Sequence, residues 1–210
     1  APTAVHGQLI RVRRLPITSS RKVSQRILSP QNMVIAAMML IEDGKLKLDQ
    51  NIADFLPGFA NPRVLTDPEK SLGARAAAGP ITIRNLLTHT AGLGYTIVTK
   101  GPLLDAYVKL GITPASASRK PLPGQPNVPT APSLAEFADR LATLPLIADP
   151  GTKWSYSVSL DLLGRVIELA SGQSFDAFLQ QRIFTPLGMT STWFQVPETE
   201  MKRLTTNYCN

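Results

Sequence analysis

The 210-residue sequence contains a single cysteine, Cys209, so no disulfide can form within the chain and no cysteine-based metal site is expected. Its two histidines, His6 and His89, lie far apart, and no group of metal-binding residue types has the spacing of a ligand set. The sequence therefore predicts no metal site and no cofactor.

Long apolar runs are also lacking, because no stretch approaches the ~20 residues that a membrane-spanning helix needs. We expect a soluble protein that has no membrane partner. A lone cysteine neither requires nor excludes an oxidising compartment. The localisation is therefore left unknown, with the cytoplasm slightly favoured.

Acidic residues are absent from the N-terminal stretch, and this explains most of the net charge of +7. Residues 1–26 hold six of the 22 Lys and Arg residues, whereas the remainder is nearly neutral. A nucleic-acid arm would be expected to interleave aromatic residues with the basic ones, and none is present. We predict a basic strand or loop at 1–28, a main domain at 29–210 and no nucleic-acid partner.

The sequence pattern of the main domain predicts a mostly helical structure. Ser29 and Pro30 are typical of a helix start, and Gly44 of its end. Six prolines between Pro114 and Pro132 exclude regular periodicity, which predicts an extended surface excursion at 111–132. Further helices are predicted near 52–58, after Thr82, from a capping box at Ser133 and Glu136, and at 174–184.

A strongly amphipathic helix is predicted at 159–171. Leu160, Leu163 and Ile167 recur at steps of three and four, and Gly172 follows as a left-handed terminating residue. Strands are predicted near 8–17 and 191–197, and two short strands do not make an independent sheet. The fold class is therefore α+β, predominantly helical in this chain.

Three stretches together resemble one family: "AAMMLIEDGKLKLD", "ITIRNLLTHTAGLGY" and "PGTKWSYSVSLDLLGRVIELASGQSFDAFLQQRIFTPLGMTSTWF". They are similar to the serine β-lactamase-like hydrolases, and most closely to the family VIII carboxylesterases, which share a fold with class C β-lactamases and D-alanyl-D-alanine peptidases. The resemblance spans residues 33 to 208 and implies a β-lactamase/transpeptidase-like fold. Part of the antiparallel sheet of that fold is not visible in the sequence, so we expect an incomplete version.

The resemblance also implies site residues. Tyr156 matches the family's catalytic tyrosine, which exchanges a proton with the serine hydroxyl and the leaving alcohol. Val158 stands where β-lactamases usually carry an asparagine that binds an acylamido group, and this favours simple esters. Trp154 and Tyr95 are candidates for lining the acyl or alcohol pocket, although aromatics beside turns are often core residues.

The nucleophile does not follow the family pattern, which is a serine with a lysine three residues later. Ser29 has the expected position, but Asn32 stands where the lysine would be, so a helix cap is favoured over a nucleophile for Ser29. Ser19 and Lys22 have the residue types but lie too early. Three explanations stay open: a shortened or altered N-terminus, a rearranged loop that uses Ser19 and Lys22, or a non-catalytic relative.

The sequence thus predicts a serine hydrolase that cleaves short-chain carboxylic esters through an acyl-enzyme, with a small-molecule ester as its partner. The alternative is a catalytically inactive fragment or interaction module that self-associates through an apolar helix face, so a homo-oligomer is possible. His89 invites a triad interpretation, but no Gly-x-Ser-x-Gly elbow occurs in the sequence. We expect His89 to be a hydrogen-bonded corner residue.

Overall fold

The computed structural model describes residues 30–112, 130–194 and 196–203. The basic segment at 1–28 and its predicted strand lie outside these ranges, as do Ser19, Lys22, Ser29 and residues 113–129 of the proline-rich excursion. Within the described ranges, no helix is long and apolar enough to cross a membrane.

The first helix, α1, spans Pro30–Glu42 as predicted, and Gly44 follows with a φ of +70°. One face of α1 is buried, and it consists of Met33, Ala36, Ala37 and Leu40. Two small residues on that face allow a close approach to the helix that crosses it. That helix is α5, at Ser159–Ser171, which also contacts most of the other helices.

The helix α5 is the centre of the core. Its buried side chains include Leu162, Leu163, Val166 and Ile167, and Gly172 ends it with a φ of +72°, so the amphipathic pattern and its terminating glycine are both confirmed. Gly164 is buried between two neighbours, because a Cβ there would lie 3.3 Å from Leu134 Cδ1 and 3.4 Å from Met33 Cε. The lack of a side chain at this position brings three helices together.

The other helices in the described ranges are shorter. In chain order they are α2 at Ile83–Leu87, α3 at Gly101–Lys109, α4 at Leu134–Ala142 and α6 at Phe175–Leu179, with a π turn at Gln180–Phe184 and 3₁₀ turns at Ile52–Asp54, Pro57–Phe59 and Glu198–Arg203. Of these, α2, α4 and α6 pack against α5. The predicted capping box of α4 is half formed. Ser133 Oγ accepts the Glu136 N–H at 3.1 Å, but the Glu136 carboxylate pairs with Arg140 at 2.8 Å.

The described part of the chain holds one small antiparallel sheet, in which β1 at Arg63–Leu65 pairs with β2 at Ala74–Ala76. The sequence did not predict this hairpin. The strand predicted at 191–197 was wrong for the residues of that stretch that the structure describes, which form turns and irregular structure. The helical character of the chain is confirmed.

The hairpin anchors the segment that leads into α5. Leu146 bonds β1 through both backbone groups, donating to Arg63 O at 2.7 Å and accepting from Leu65 N–H at 2.9 Å. Three residues further on, the Asp149 carboxylate takes two bonds from the Arg75 guanidinium, at 3.1 and 2.6 Å, and one from the Ala78 N–H at 2.8 Å. These bonds hold the pKa of Asp149 at about 2, with Arg75 as the largest cause.

We expect Asp149→Asn to destabilise the protein at neutral pH and to change its acid unfolding. The pKa of Asp149 is depressed from 3.8 to about 2 in the folded state. The ionised carboxylate therefore contributes fully to the free energy of unfolding above pH 3.8, and this contribution is lost as the pH falls through 2. Urea unfolding from pH 7 to pH 2 should therefore show the difference between variant and wild type narrowing below pH 4. Asp67→Asn is the matched control, because Asp67 pairs with a largely exposed Lys70. An equal effect of both variants at all pH values would contradict this account.

Candidate active site

Two stretches of chain meet beside the start of α5, and we call their contact the clamp. One is the turn at 88–95 that follows α2, and the other is the segment at 146–158 that leads from the hairpin into α5. Four backbone hydrogen bonds join them: Ile147 N–H to Gly92 O at 2.7 Å, Gly151 N–H to Thr90 O at 2.8 Å, Ser155 N–H to His89 O at 2.9 Å, and Val158 N–H to Gly94 O at 3.3 Å. The clamp fixes the backbone on both sides of Tyr156.

Polar side chains shape the turn of the clamp. Asn85 Oδ1 accepts from the Thr82 N–H at 3.0 Å and from the Thr82 hydroxyl, while Asn85 Nδ2 donates to Thr90 Oγ1 at 3.1 Å. His89 adopts a φ of +55°, a left-handed conformation that histidine tolerates better than most residues. The prediction that His89 is a hydrogen-bonded corner residue is confirmed.

Gly92 lets the two stretches approach each other. Its φ is +75°, and a Cβ built there would overlap the carbonyl oxygen of Ala148. Both the conformation and the space therefore require glycine at this position.

We expect Gly92→Ala to destabilise the protein by about 3 kcal/mol or more, since the left-handed backbone costs about 1–2 kcal/mol and overpacking adds to it. Two controls separate these causes in urea unfolding. Gly44→Ala has the same sign of φ but open space, and Gly79→Ala has open space without a left-handed φ. If Gly92→Ala lowers the free energy of unfolding by no more than Gly44→Ala does, the close approach of Gly92 to Ala148 adds nothing to the cost.

The clamp presents a group of rings that we call the aromatic patch, formed by His89, Tyr95, Trp154 and Tyr156. Tyr156 is 44% exposed and Trp154 65% exposed. The Tyr156 ring lies 4.7 Å from the His89 ring at a tilt of 32°, and Tyr95 meets it edge-on at 5.3 Å. Trp154 contacts His89 edge-on at 6.5 Å. Tyr156, Tyr95 and Trp154, each predicted as a site residue, are therefore neighbours.

Beneath the patch the chain is buried. Ser157 is 4% exposed, its hydroxyl lies 2.7 Å from that of Ser159, and its N–H donates to His89 Nδ1 at 3.3 Å. Val158 belongs to the hydrophobic core. Its side chain is 3% exposed and leaves little surface for a bound molecule, and the predicted contact between Val158 and a substrate stays a prediction.

Burial sets the electrostatics of the patch. It lowers the pKa of His89, which favours the neutral imidazole, and it raises the pKa of Tyr95, with a smaller contribution from negative charge on Tyr156 and Asp161. Burial also raises the pKa of Asp161, in the first turn of α5, to about 6. Asp161 was not among the site residues predicted from the sequence.

The predicted nucleophile residues cannot be compared with this geometry, because Ser19, Lys22 and Ser29 lie outside the described residues. Asn32, three residues after Ser29, is half-buried on α1. In the ranges that the structure covers, no group of three or more His, Cys, Asp or Glu residues could hold a metal ion. What the geometry offers is a fixed, half-exposed phenol beside a neutral imidazole, and this arrangement is suited to proton exchange with a bound molecule.

Comparison with known proteins supports one family. Residues 33–209 match the model of the family described as Beta-lactamase. Esterase EstB from Burkholderia gladioli is 35% identical over 168 residues, which are 80% of this chain and 37% of that protein. ML-236A carboxylate methylbutanoyltransferase mlcH from Penicillium citrinum is 34% identical over 166 residues, which are 78% of this chain and 35% of that protein.

Among solved structures, the fold is similar to that of EstCE1, described as a hydrolase with promiscuous acyltransferase activity. The two share 30% identity with a TM-score of 0.66, over 92% of this chain and 44% of that one. The chain thus spans less than half the length of EstCE1, and little more than a third of EstB and the methylbutanoyltransferase.

Proposed function

Because this chain belongs to the beta-lactamase family and has part of the β-lactamase/transpeptidase-like fold, we propose that it is a serine hydrolase that cleaves short-chain carboxylic esters through an acyl-enzyme. The proposal places it near the family VIII carboxylesterases. One observation carries it: Tyr156, which matches the family's catalytic tyrosine, has a half-exposed ring that is fixed on two sides by His89 and Tyr95.

Tyr156 would act as the proton relay. Its phenolate oxygen takes the proton of the serine hydroxyl while the serine Oγ forms a bond to the ester carbonyl carbon. The phenol then gives that proton to the alcohol oxygen as the bond between that oxygen and the carbonyl carbon breaks, which leaves the acyl group on the serine. Water repeats the sequence and releases the carboxylic acid. Ser19 with Lys22, or Ser29, are the proposed sources of the nucleophile and its base.

The aromatic patch would bind the substrate. Trp154 exposes most of its indole and meets the His89 ring edge-on, and Tyr95 meets the Tyr156 ring edge-on. Apolar faces next to a reacting centre favour a small acyl or alcohol group over a charged one. Val158 matches the position that carries asparagine in many β-lactamases, and an apolar residue there supports esters over acylamido substrates.

Transfer of the acyl group to an alcohol is a second candidate, because the same acyl-enzyme reacts with whichever hydroxyl reaches it. Two similar proteins support it, since one is a methylbutanoyltransferase and the other is a hydrolase with promiscuous acyltransferase activity. An assay with a short-chain ester and excess of a primary alcohol separates the two, since hydrolysis yields the acid and transfer yields a new ester.

Tyr156→Phe should lower ester turnover by about 10²–10⁴-fold, the usual contribution of a positioned acid or base. Its stability should change by less than about 0.5 kcal/mol, because the ring stays and the lost hydroxyl belongs to a half-exposed side chain. The measurement is kcat/KM with p-nitrophenyl butyrate, with thermal unfolding alongside. Tyr95→Phe is the matched control and should lose far less. Wild-type turnover by Tyr156→Phe would exclude the relay.

A fluorophosphonate probe tests the nucleophile directly, because it reacts with activated serines. We expect one adduct per chain by intact mass, and peptide mapping should locate it at Ser19 or Ser29. The corresponding Ser→Ala variant should then fail to react, while the other Ser→Ala variant should react normally. An adduct at a different serine would overturn both assignments.

The alternative function, a non-catalytic module that self-associates, rests on α1. Ile35 and Met38 lie on its outer face and are 46% and 41% exposed. The same probe experiment distinguishes this candidate. Folded protein that gives no adduct, and whose elution volume on gel filtration depends on concentration, would support self-association over catalysis.

A further inference from the structure

His89 makes contacts on both sides of Tyr156 in the chain. Its carbonyl oxygen accepts the N–H of Ser155, the residue before Tyr156, at 2.9 Å, and its Nδ1 accepts the N–H of Ser157, the residue after it, at 3.3 Å. Its ring packs on the Tyr156 ring at 4.7 Å. One residue thus fixes the backbone before and after Tyr156 as well as the phenol ring itself.

We propose that His89 is the positioning residue for Tyr156: the imidazole packs against the phenol ring while Nδ1 holds the Ser157 N–H, so that removing or protonating the imidazole releases the tyrosine. Only the role of Tyr156 as a proton relay rests on the proposed function. The positioning itself follows from contacts within the clamp and the aromatic patch.

A residue that only forms the corner of the turn does not need the contacts of the imidazole ring. A φ of +55° is satisfied by glycine or asparagine, and the bond from Ser155 uses only the backbone of residue 89. The imidazole adds two contacts that the corner does not require, namely the one with the Tyr156 ring and the one with the Ser157 N–H. Those two contacts are what distinguishes a positioning role from a purely structural one.

The direction of the Ser157 bond fixes the protonation state of the imidazole. Since a backbone N–H can only donate, Nδ1 must be the acceptor, and the neutral ring carries its proton on Nε2. A second proton on the ring, at Nδ1, would point the imidazole N–H at the Ser157 N–H, so that two donors would face each other. Burial acts in the same direction by lowering the pKa of His89.

The groups that face the imidazole are identified from each packed segment. From the segment at 146–158 they are the Tyr156 phenol, the uncharged Trp154 indole and the Ser157 hydroxyl, which lies 3.4 Å from Nδ1. From α2, the Leu86 carbonyl oxygen accepts the backbone N–H of His89 at 3.4 Å, which is a contact with the backbone and not with the imidazole. Tyr95 contacts the Tyr156 ring, and the charge of Asp161 contributes to the raised pKa of Tyr95. Among the residues that the structure describes, no ion pair involves His89.

The pH dependence has a definite sign. His89 has an ordinary pKa of 6.5, and its pKa in the folded protein is lower. The neutral imidazole therefore stabilises the folded clamp fully above pH 6.5, and this contribution is lost as the pH falls from 6.5 through the depressed value. Tyr156 should be released over the same range.

Two substitutions separate the contacts. His89→Asn tolerates the left-handed backbone and places an amide oxygen near the position of Nδ1, but it has no ring and does not titrate. His89→Phe keeps a ring against Tyr156 but leaves the Ser157 N–H without its acceptor. Neither measurement below depends on ester turnover.

The experiment is NMR on the full chain, with ¹³C-labelled tyrosine rings and ¹⁵N-labelled backbone; the Tyr156 signal is assigned from its loss in Tyr156→Phe. In wild type we expect the Tyr156 ring and the Ser157 amide signals to shift together below pH 6.5 with a single midpoint. His89→Asn should abolish that titration and move the Tyr156 ring signal towards its unstacked position, while the Ser157 amide keeps its protection from exchange.

His89→Phe should show the opposite pattern, with the ring signal retained and the Ser157 amide exchanging about tenfold faster, the loss expected for one hydrogen bond. The proposal is overturned if the Tyr156 and Ser157 signals respond neither to pH in wild type nor to the two variants. If His89→Phe does not fold, the wild-type titration and His89→Asn still decide the question.

Ester turnover is recorded separately on the same samples. If the proposed function holds, His89→Asn should lower kcat more than it raises KM and should remove the acid limb that His89 contributes to the pH profile. If wild type hydrolyses no ester, the proposed function fails, whereas the NMR result still confirms or overturns the positioning role.

Discussion

The site depends on the clamp between the turn at 88–95 and the segment at 146–158. Neither stretch is a regular helix or strand, so neither can satisfy its own backbone groups, and each provides the partners that the other needs. The clamp contains three residues with positive φ, His89, Gly92 and Gly151, and of these only His89 carries a steric cost, because glycine adopts this conformation freely. Polar contacts made by Asn85 and the packing of α2 against α5 maintain that conformation. The backbone that carries the aromatic patch is held in place by this clamp.

The sequence specifies most clearly the elements whose pattern is local. The helix α5 was predicted close to its observed boundaries because its apolar stripe and its terminating glycine lie within one short stretch. The helix α3 was missed, since Gly101 and Pro102 at its start are typical of a turn and its N-cap, Lys100, makes no side-chain capping bond. The hairpin was missed because three-residue strands are too short to show an alternation, and β1 is completed by Leu146, which is distant in sequence.

The site was accessible from the sequence only in part. Tyr156 was identified through a family resemblance, and its position before α5 followed from the helix pattern. Its neighbours could not be derived in the same way, because His89 and Ser157 are 68 residues apart and nothing in either local stretch specifies their contact. His89 was correctly assigned to a corner, but its packing against the tyrosine is a tertiary feature that propensity and spacing do not encode.

The surroundings of Tyr156 combine two properties that a proton-exchanging phenol needs, namely access for a bound molecule and restraint of the ring. A phenol that exchanges protons must be open to a bound molecule, and Tyr156 is, yet an exposed tyrosine normally rotates freely. Here the neutral ring of His89 and the edge of Tyr95 restrain it without introducing a charge. In the described ranges, no ion pair or cation–π contact involves Tyr156. Under the proposed function, a cation that stabilises the phenolate would come with the nucleophile, so that the restraint and the activation of Tyr156 would be supplied by different parts of the protein.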